Sequence, residues 1–179
     1  KYNINIEIEH HSKSNKDLFN QLYAMHELTK KVYTQNINDQ IIKLLENRNI
    51  TKKSIELFEI GLSFKKNDQL LQMMRSEKYS TEALKKSGLF IEYDNGYMDR
   101  FRNRIMFPIY NKFNKAIAFG GRIYNNETKT AKYLNSSETP IYNKSRTLYG
   151  LHITKNEIIN NESAIVVEGY LDLIQLYQS

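Results

Sequence analysis

From residue 16 onward the apolar residues Leu18, Leu22, Met25, Leu28 and Val32 recur every three or four positions, which predicts an amphipathic helix over residues 16–35. Its apolar stripe needs a partner. Asn38 stands just ahead of a second apolar run, Ile41-Ile42 and Leu44-Leu45, and Thr51 ahead of a third, Ile55 and Leu57-Phe58. Each of these side chains can accept a hydrogen bond from a free first-turn amide, so each predicts a capped helix. At Ile60 the period shortens to two, and Ile60-Gly-Leu-Ser-Phe64 reads as a short strand. Short helices are expected over 68–75 and 80–86, the second stopped by Gly88 as a C-terminal cap.

Beyond Leu89 the pattern turns mainly extended. Leu89-Phe-Ile91, a tight turn at Asp94-Asn-Gly96, and the strand Arg104-Ile-Met-Phe-Pro-Ile-Tyr110 follow in order. Ala116-Ile-Ala-Phe119 pairs with that strand across a turn at 111–114, which suggests an antiparallel sheet. Gly120-Gly121 then marks a bulge or a close backbone approach. Pro108 cannot donate to a ladder and is expected at an edge or a bulge. Residues 125–130 read as a loop, and residues 1–15 show no clear period and read as a linker or the end of something upstream. A helix near 156–160 leads into Ala164-Ile-Val-Val167, an apolar run that predicts a strand buried on both faces, ending at Glu168-Gly-Tyr-Leu-Asp172. The expected fold class is α+β: a helical N-terminal part packed with a mixed, mainly antiparallel sheet, then one β-α unit.

Two carboxylates beside a glycine at a strand's carboxyl end suit a hard divalent cation, because magnesium takes one or two protein carboxylates and completes its shell with water and phosphate oxygens. Glu168 and Asp172 are thus metal-side candidates, and a plain structural turn fits the same residues equally well. The 179 residues include no cysteine, which excludes disulfides and thiolate zinc sites within this span. No apolar run is long enough to cross a bilayer, so a cytoplasmic protein with no membrane partner is expected.

The formal net charge of +6 is concentrated between Arg100 and Arg146, where ten Lys and Arg face only Glu127 and Glu138. Strict alternation would project Arg100, Arg102 and Arg104 together as a comb for phosphates, or as charges guarding an edge strand. Arg122 follows the double glycine. Lys132-Tyr-Leu-Asn135 combines a cation, an aromatic and an amide, the mixture that holds a sugar-phosphate backbone while a base stacks, although Tyr133 also suits a core. His10, His11, His26 and His152 lack ligand spacing, and His26 is expected to be structural. Ser136, Ser137 and Ser145 have no nearby base for nucleophilic catalysis.

Arg100-Phe-Arg-Asn-Arg-Ile-Met-Phe-Pro-Ile109, Ala118-Phe-Gly-Gly-Arg122, Lys132-Tyr-Leu-Asn-Ser136 with Glu138-Thr139, Lys144, Leu148-Tyr-Gly150 and Glu168-Gly-Tyr-Leu-Asp172 stand in an order that resembles the bacterial DnaG-type DNA primases, in their central RNA-polymerase domain. The resemblance is specific over the second half of the chain. It implies a template-directed RNA polymerase making short primers for DNA replication. In it a basic groove spans residues 16–150, and a Toprim domain opens at 151–179. Arg100, Arg102 and Arg122 match groove residues; Lys132, Tyr133, Asn135 and Lys144 match those that hold template, primer or nucleotide. Glu168 matches the catalytic glutamate and Asp172 its acidic partner.

The same resemblance implies a Mg2+ or Mn2+ cofactor held mainly by residues beyond this chain, and zinc only in an upstream module. It implies partners in single-stranded DNA template, RNA primer, nucleoside triphosphates, replicative helicase and single-strand-binding protein, at a replication fork in the nucleoid. Ser136-Ser137 departs from the family's usual Ser-Pro, and the later Asp-x-Asp motif does not occur. The chain alone is therefore expected to bind nucleic acid weakly and to catalyse little. Another Toprim enzyme, a primase-helicase or a topoisomerase, and a non-catalytic nucleic-acid-binding module are the alternatives.

Overall fold

A computed structural model describes residues 13–94, 96–125 and 130–179. The proposed linker up to residue 12, with His10 and His11, lies outside these, as do Asn95 of the turn and 126–129 of the loop. Helix α1, Lys13–Gln35, buries Leu18, Leu22 and Met25. Two polar residues share that buried face and bond back to the helix: Thr29 Oγ1 donates to the Met25 carbonyl at 2.7 Å, and His26 Nδ1 to that of Leu22 at 2.7 Å, while His26 Nε2 is buried without a partner. Helices α2, Asp39–Glu46, and α3, Lys52–Leu57, start where expected. Asn38 accepts from the Ile41 amide at 3.0 Å and Thr51 from that of Ser54 at 3.2 Å.

The main sheet is antiparallel throughout, in the order β1 (Gly61–Leu62), β4 (Arg104–Tyr110), β5 (Ala116–Ile123), β6 (Tyr133–Asn135). A separate hairpin joins β2, Phe90–Tyr93, to β3, Gly96–Asp99. Strand β1 covers only Ile105 and Met106, so Pro108 sits where that flank of β4 carries no neighbour. Between the strands lie α4, Gln69–Ser76, and α5, Thr81–Lys86. Asp68 makes no cap for α4. Asp99 does so from the end of β3, accepting from the amides of Leu70 and Leu71 at 2.8 and 2.9 Å. Burial raises its carboxyl pKa to about 6 against the lowering effect of those two donors.

Alternation divides the sheet's side chains between two cores. Met106 and Phe119 point to the layer of α1, α4 and α5; Ile105 and Phe107 point to the layer of α2, α3 and a later helix, α7, Tyr170–Gln178. Strand β4 is accordingly buried along its whole length. His26, on the first side, stacks on Phe119 with centroids 5.9 Å apart, and its structural role is borne out. On the second side α7 buries Leu171 and Ile174, and its Gln178 Oε1 accepts from Ser54 Oγ at 2.7 Å and the Thr51 amide at 3.1 Å.

The α+β class is as expected, but four local expectations are overturned. The arginine comb does not form, because Asn103 adopts the left-handed region (φ 55°) and breaks the alternation, while Arg104 is only 6% exposed. Its guanidinium reaches the carbonyls of Gly121 and Lys132 and Thr130 Oγ1, each at 3.4 Å. Nor is β4 an edge strand, since β1 and β5 flank its start. The helix near 156–160 is longer than expected, α6 spanning Leu151–Asn160. The buried strand Ala164–Val167 is absent: the segment is in no ladder among the described residues, and Ile165 and Val166 are 76% and 82% exposed. A strand exists only with a neighbour to complete its hydrogen bonds, and no described element supplies one.

Candidate nucleic-acid and nucleotide cleft

An open cleft of about 660 Å3 lies between β6, the 3-10 turn Lys144–Arg146, α6 and the segment 164–173. It brings together five residues singled out from sequence: Tyr133, Asn135, Lys144, Glu168 and Asp172. The pairing of β5 with β6 sets Gly120 opposite Asn135 and Arg122 opposite Tyr133. Alternation then puts Arg122, Tyr133 and Asn135 on the Phe107 face of the sheet, the face on which the cleft opens.

Each of these side chains is held from behind. The Arg122 guanidinium lies 5.8 Å from the Tyr133 ring centroid, and its Nε is buried without a hydrogen-bond partner. Tyr133 is 40% exposed, which overturns the core reading and leaves a ring face able to stack. The Asn135 carbonyl accepts from Arg100 Nε and Nη2 at 3.2 and 3.0 Å. Its Oδ1 accepts from the Tyr170 hydroxyl at 2.7 Å, which leaves the amide donors of Asn135 for a ligand. Glu138 Oε1 accepts from the Lys144 amide at 3.2 Å and ties down the turn that presents the Lys144 ammonium.

Arg100 and Arg122 thus act through Asn135 and Tyr133 rather than lining the cleft. Arg102 is not brought there; its Nη1 donates to the Asp99 carbonyl at 2.7 Å and lies 2.9 Å from Met98 Sδ. Lys132 immediately precedes Tyr133 and is exposed. Ser136 is structural, its Oγ accepting from the Phe119 amide at 3.0 Å.

Glu168 and Asp172 line the opposite wall, both exposed. Asp172 folds back over the chain, so that a Cβ on Gly169 would lie 2.7 Å from its Oδ2. Neither carboxylate has an ion-pair partner among the described residues. These are hard oxygen donors facing open space, the kind that fits magnesium. Among the described residues no third His, Cys, Asp or Glu joins them to complete a cage.

Tyr170 was missed by the sequence reading. Its ring stacks on Phe107 at 5.0 Å and 5°, meets Tyr149 edge-on at 4.7 Å, and lies directly over Gly120. A Cβ at Gly120 would fall 2.5 Å from the Tyr170 hydroxyl oxygen and closer still to the ring carbons. Burial, with Tyr142 and Tyr133 nearby, raises its hydroxyl pKa above the ordinary value and keeps it a donor. The signal available in sequence was the double glycine, which demands a close neighbour.

A lysine and a stackable ring in one cleft with two carboxylates that have no ion-pair partner among the described residues suit proteins that hold a polyanion beside a metal ion. The chain belongs to the family described as DNA primase catalytic core, N-terminal domain, whose model matches residues 28–155. It is 38% identical over 169 residues to a DNA primase of Clostridium acetobutylicum, covering 92% of this chain and 27% of that protein. It is 35% identical over 162 residues to one of Escherichia coli O6:H1, covering 88% and 28%. The chain therefore spans about a quarter of the length of these curated relatives. Among solved structures it superposes on the RNA polymerase domain of Mycobacterium tuberculosis primase DnaG in complex with double-stranded DNA (TM-score 0.83, 27% identity, 89% of this chain and 52% of that one). A DnaG primase catalytic domain bound to single-stranded DNA gives a TM-score of 0.79 at 33% identity, with 92% and 52% covered. Among the described residues no helix is long and apolar enough to cross a membrane.

Proposed function

We propose that this chain is the part of a DNA primase core that holds template and nucleotide, working in template-directed synthesis of short RNA primers. The observation that carries this is the convergence of Tyr133, Asn135, Lys144, Glu168 and Asp172 on one cleft. Tyr133, backed by Arg122, offers a base a stacking face; Lys144 and the neighbouring Lys132 take phosphates; Asn135, held by Arg100 and Tyr170, presents its amide donors. Glu168 and Asp172 would hold Mg2+ or Mn2+, which when bound neutralises charge on the attacking and leaving oxygens of nucleotidyl transfer. Residues 16–150 form the basic-groove subdomain in this reading, and 151–179 open a Toprim domain in which 164–167 becomes a strand. Helicase and single-strand-binding protein are its partners at a cytoplasmic replication fork. The family match is to a primase core, so a topoisomerase or primase-helicase is not favoured.

Primer synthesis on single-stranded DNA by the full-length protein tests the reading. Glu168→Gln keeps the shape and removes the charge; synthesis should fall about a hundredfold or more, the loss expected for one group stabilising developing charge. Undiminished synthesis would refute the role of Glu168.

A further inference from the structure

The turn joining β4 to β5 is built to present an aromatic ring. Asn111 Oδ1 accepts from the amides of Phe113 and Lys115 at 2.9 and 3.1 Å, the Asn111 amide donates to the Lys115 carbonyl at 3.0 Å, and Asn114 takes a left-handed conformation (φ 58°). At the tip so formed Phe113 is 71% exposed. No core cluster includes it. The Lys112 ammonium lies 5.1 Å from its ring centroid, Lys115 follows, and Lys155 Nζ comes from α6 to within 3.5 Å of the Lys112 carbonyl. One cation therefore lies over the bare ring, with Lys155 against the backbone of the same turn and Lys115 two residues on, where it also feels Glu27 of α1. The one acidic residue of α6, Glu157, is engaged by Asn161 Nδ2. The tip also adjoins the cleft: Ile109 on β4 and Thr154 on α6, near neighbours in sequence of Lys112 and Lys155, both line it.

We propose that this tip is a second single-strand contact, where Phe113 stacks on a base of a nucleic-acid strand running out of the cleft and Lys112, Lys115 and Lys155 hold the adjoining phosphates. A flat exposed ring among flexible cations is the arrangement that binds single strands with little regard to sequence, since every base has a π face. This deepens the reading of the cleft and rests on it.

The chain has no tryptophan, so Phe113→Trp places a single indole at the tip. Titrating this variant with oligo-dT while following anisotropy of a labelled strand and indole emission separates binding from stacking. Quenching that saturates with binding is expected. Phe113→Ala and Phe113→Leu, both on an exposed turn, should weaken binding about tenfold, within the range for one stacked base, and Lys112→Ala should make the salt slope shallower by about 0.7. Binding without quenching, with Phe113→Leu unchanged and Lys132→Ala weakened, overturns the tip and leaves the cleft reading intact. No binding of oligo-dT by the unsubstituted chain overturns both.

Discussion

Gly120→Ala is a sharp test of how the two walls of the cleft are joined. Gly120 does not have a positive φ, so an L-residue can adopt its backbone and any penalty is steric. The added methyl would sit within 2.5 Å of Tyr170, whereas ordinary contact begins near 3.4 Å, so the ring must retreat by about 1 Å. Stacked on Phe107 on one side and met by Tyr149 on the other, it can retreat only towards the open cleft it lines. Overpacking of this kind costs about 1–3 kcal/mol, and loss of the Tyr170–Asn135 hydrogen bond adds about 1 kcal/mol. Against these, alanine restricts the unfolded chain and returns about 0.4–1 kcal/mol. The net expectation is a destabilisation of roughly 1–3 kcal/mol in urea melts followed by circular dichroism. In a Tyr170→Ala background the obstructing ring is gone and the sign should reverse, Gly120→Ala becoming neutral or stabilising by up to about 1 kcal/mol. Equal destabilisation in both backgrounds would refute the socket.

Two buried ionisable groups should tilt stability with pH in opposite directions. Burial lowers the His26 pKa from 6.5 to about 4, so its contribution is complete above pH 6.5 and lost as pH falls towards 4, by about 3 kcal/mol in all. The Asp99 carboxyl, raised from 3.8 to about 6, contributes below pH 4 and loses that contribution as pH rises through 6. Urea melts between pH 4 and 7 should therefore show His26→Gln relatively stabilised at the acid end and Asp99→Asn relatively destabilised there; parallel profiles for variant and parent would refute both assignments. Arg104→Ala should lower stability by about 1–3 kcal/mol and leave the salt slope of oligonucleotide binding unchanged, because its guanidinium is bonded inside the sheet. A shallower slope would restore it to the groove.

What was legible in the sequence was what short-range chemistry decides. Asn38 and Thr51 each cap the helix they precede, because a cap needs only an oxygen and an amide two or three residues apart. Strand β4 was recognisable to its ends from its run of bulky apolar residues. Where partners lie far along the chain the reading failed. Asp68 looked like the start of α4, yet Asp99 supplies its cap from another element. The arginines seemed to alternate because nothing local announces that Asn103 turns left-handed. Of the cleft, the cation and amide side chains were evident from residue type. Tyr170 was not, since within Glu168-Gly-Tyr-Leu-Asp172 it resembles any first-turn helical residue, and only the pairing that lays Gly120 beneath it gives it a role.

Ala164–Val167 has a colloidal consequence. Four apolar residues, without charge or proline and in no ladder among the described residues, lie between two helices with Ile165 and Val166 bare to solvent. Such a strip accepts any strand of matching length, including the same strip on a second molecule. Concentrated solutions of this chain should associate through it, gaining β signal as they do. Replacing Val166 with lysine should keep them monomeric.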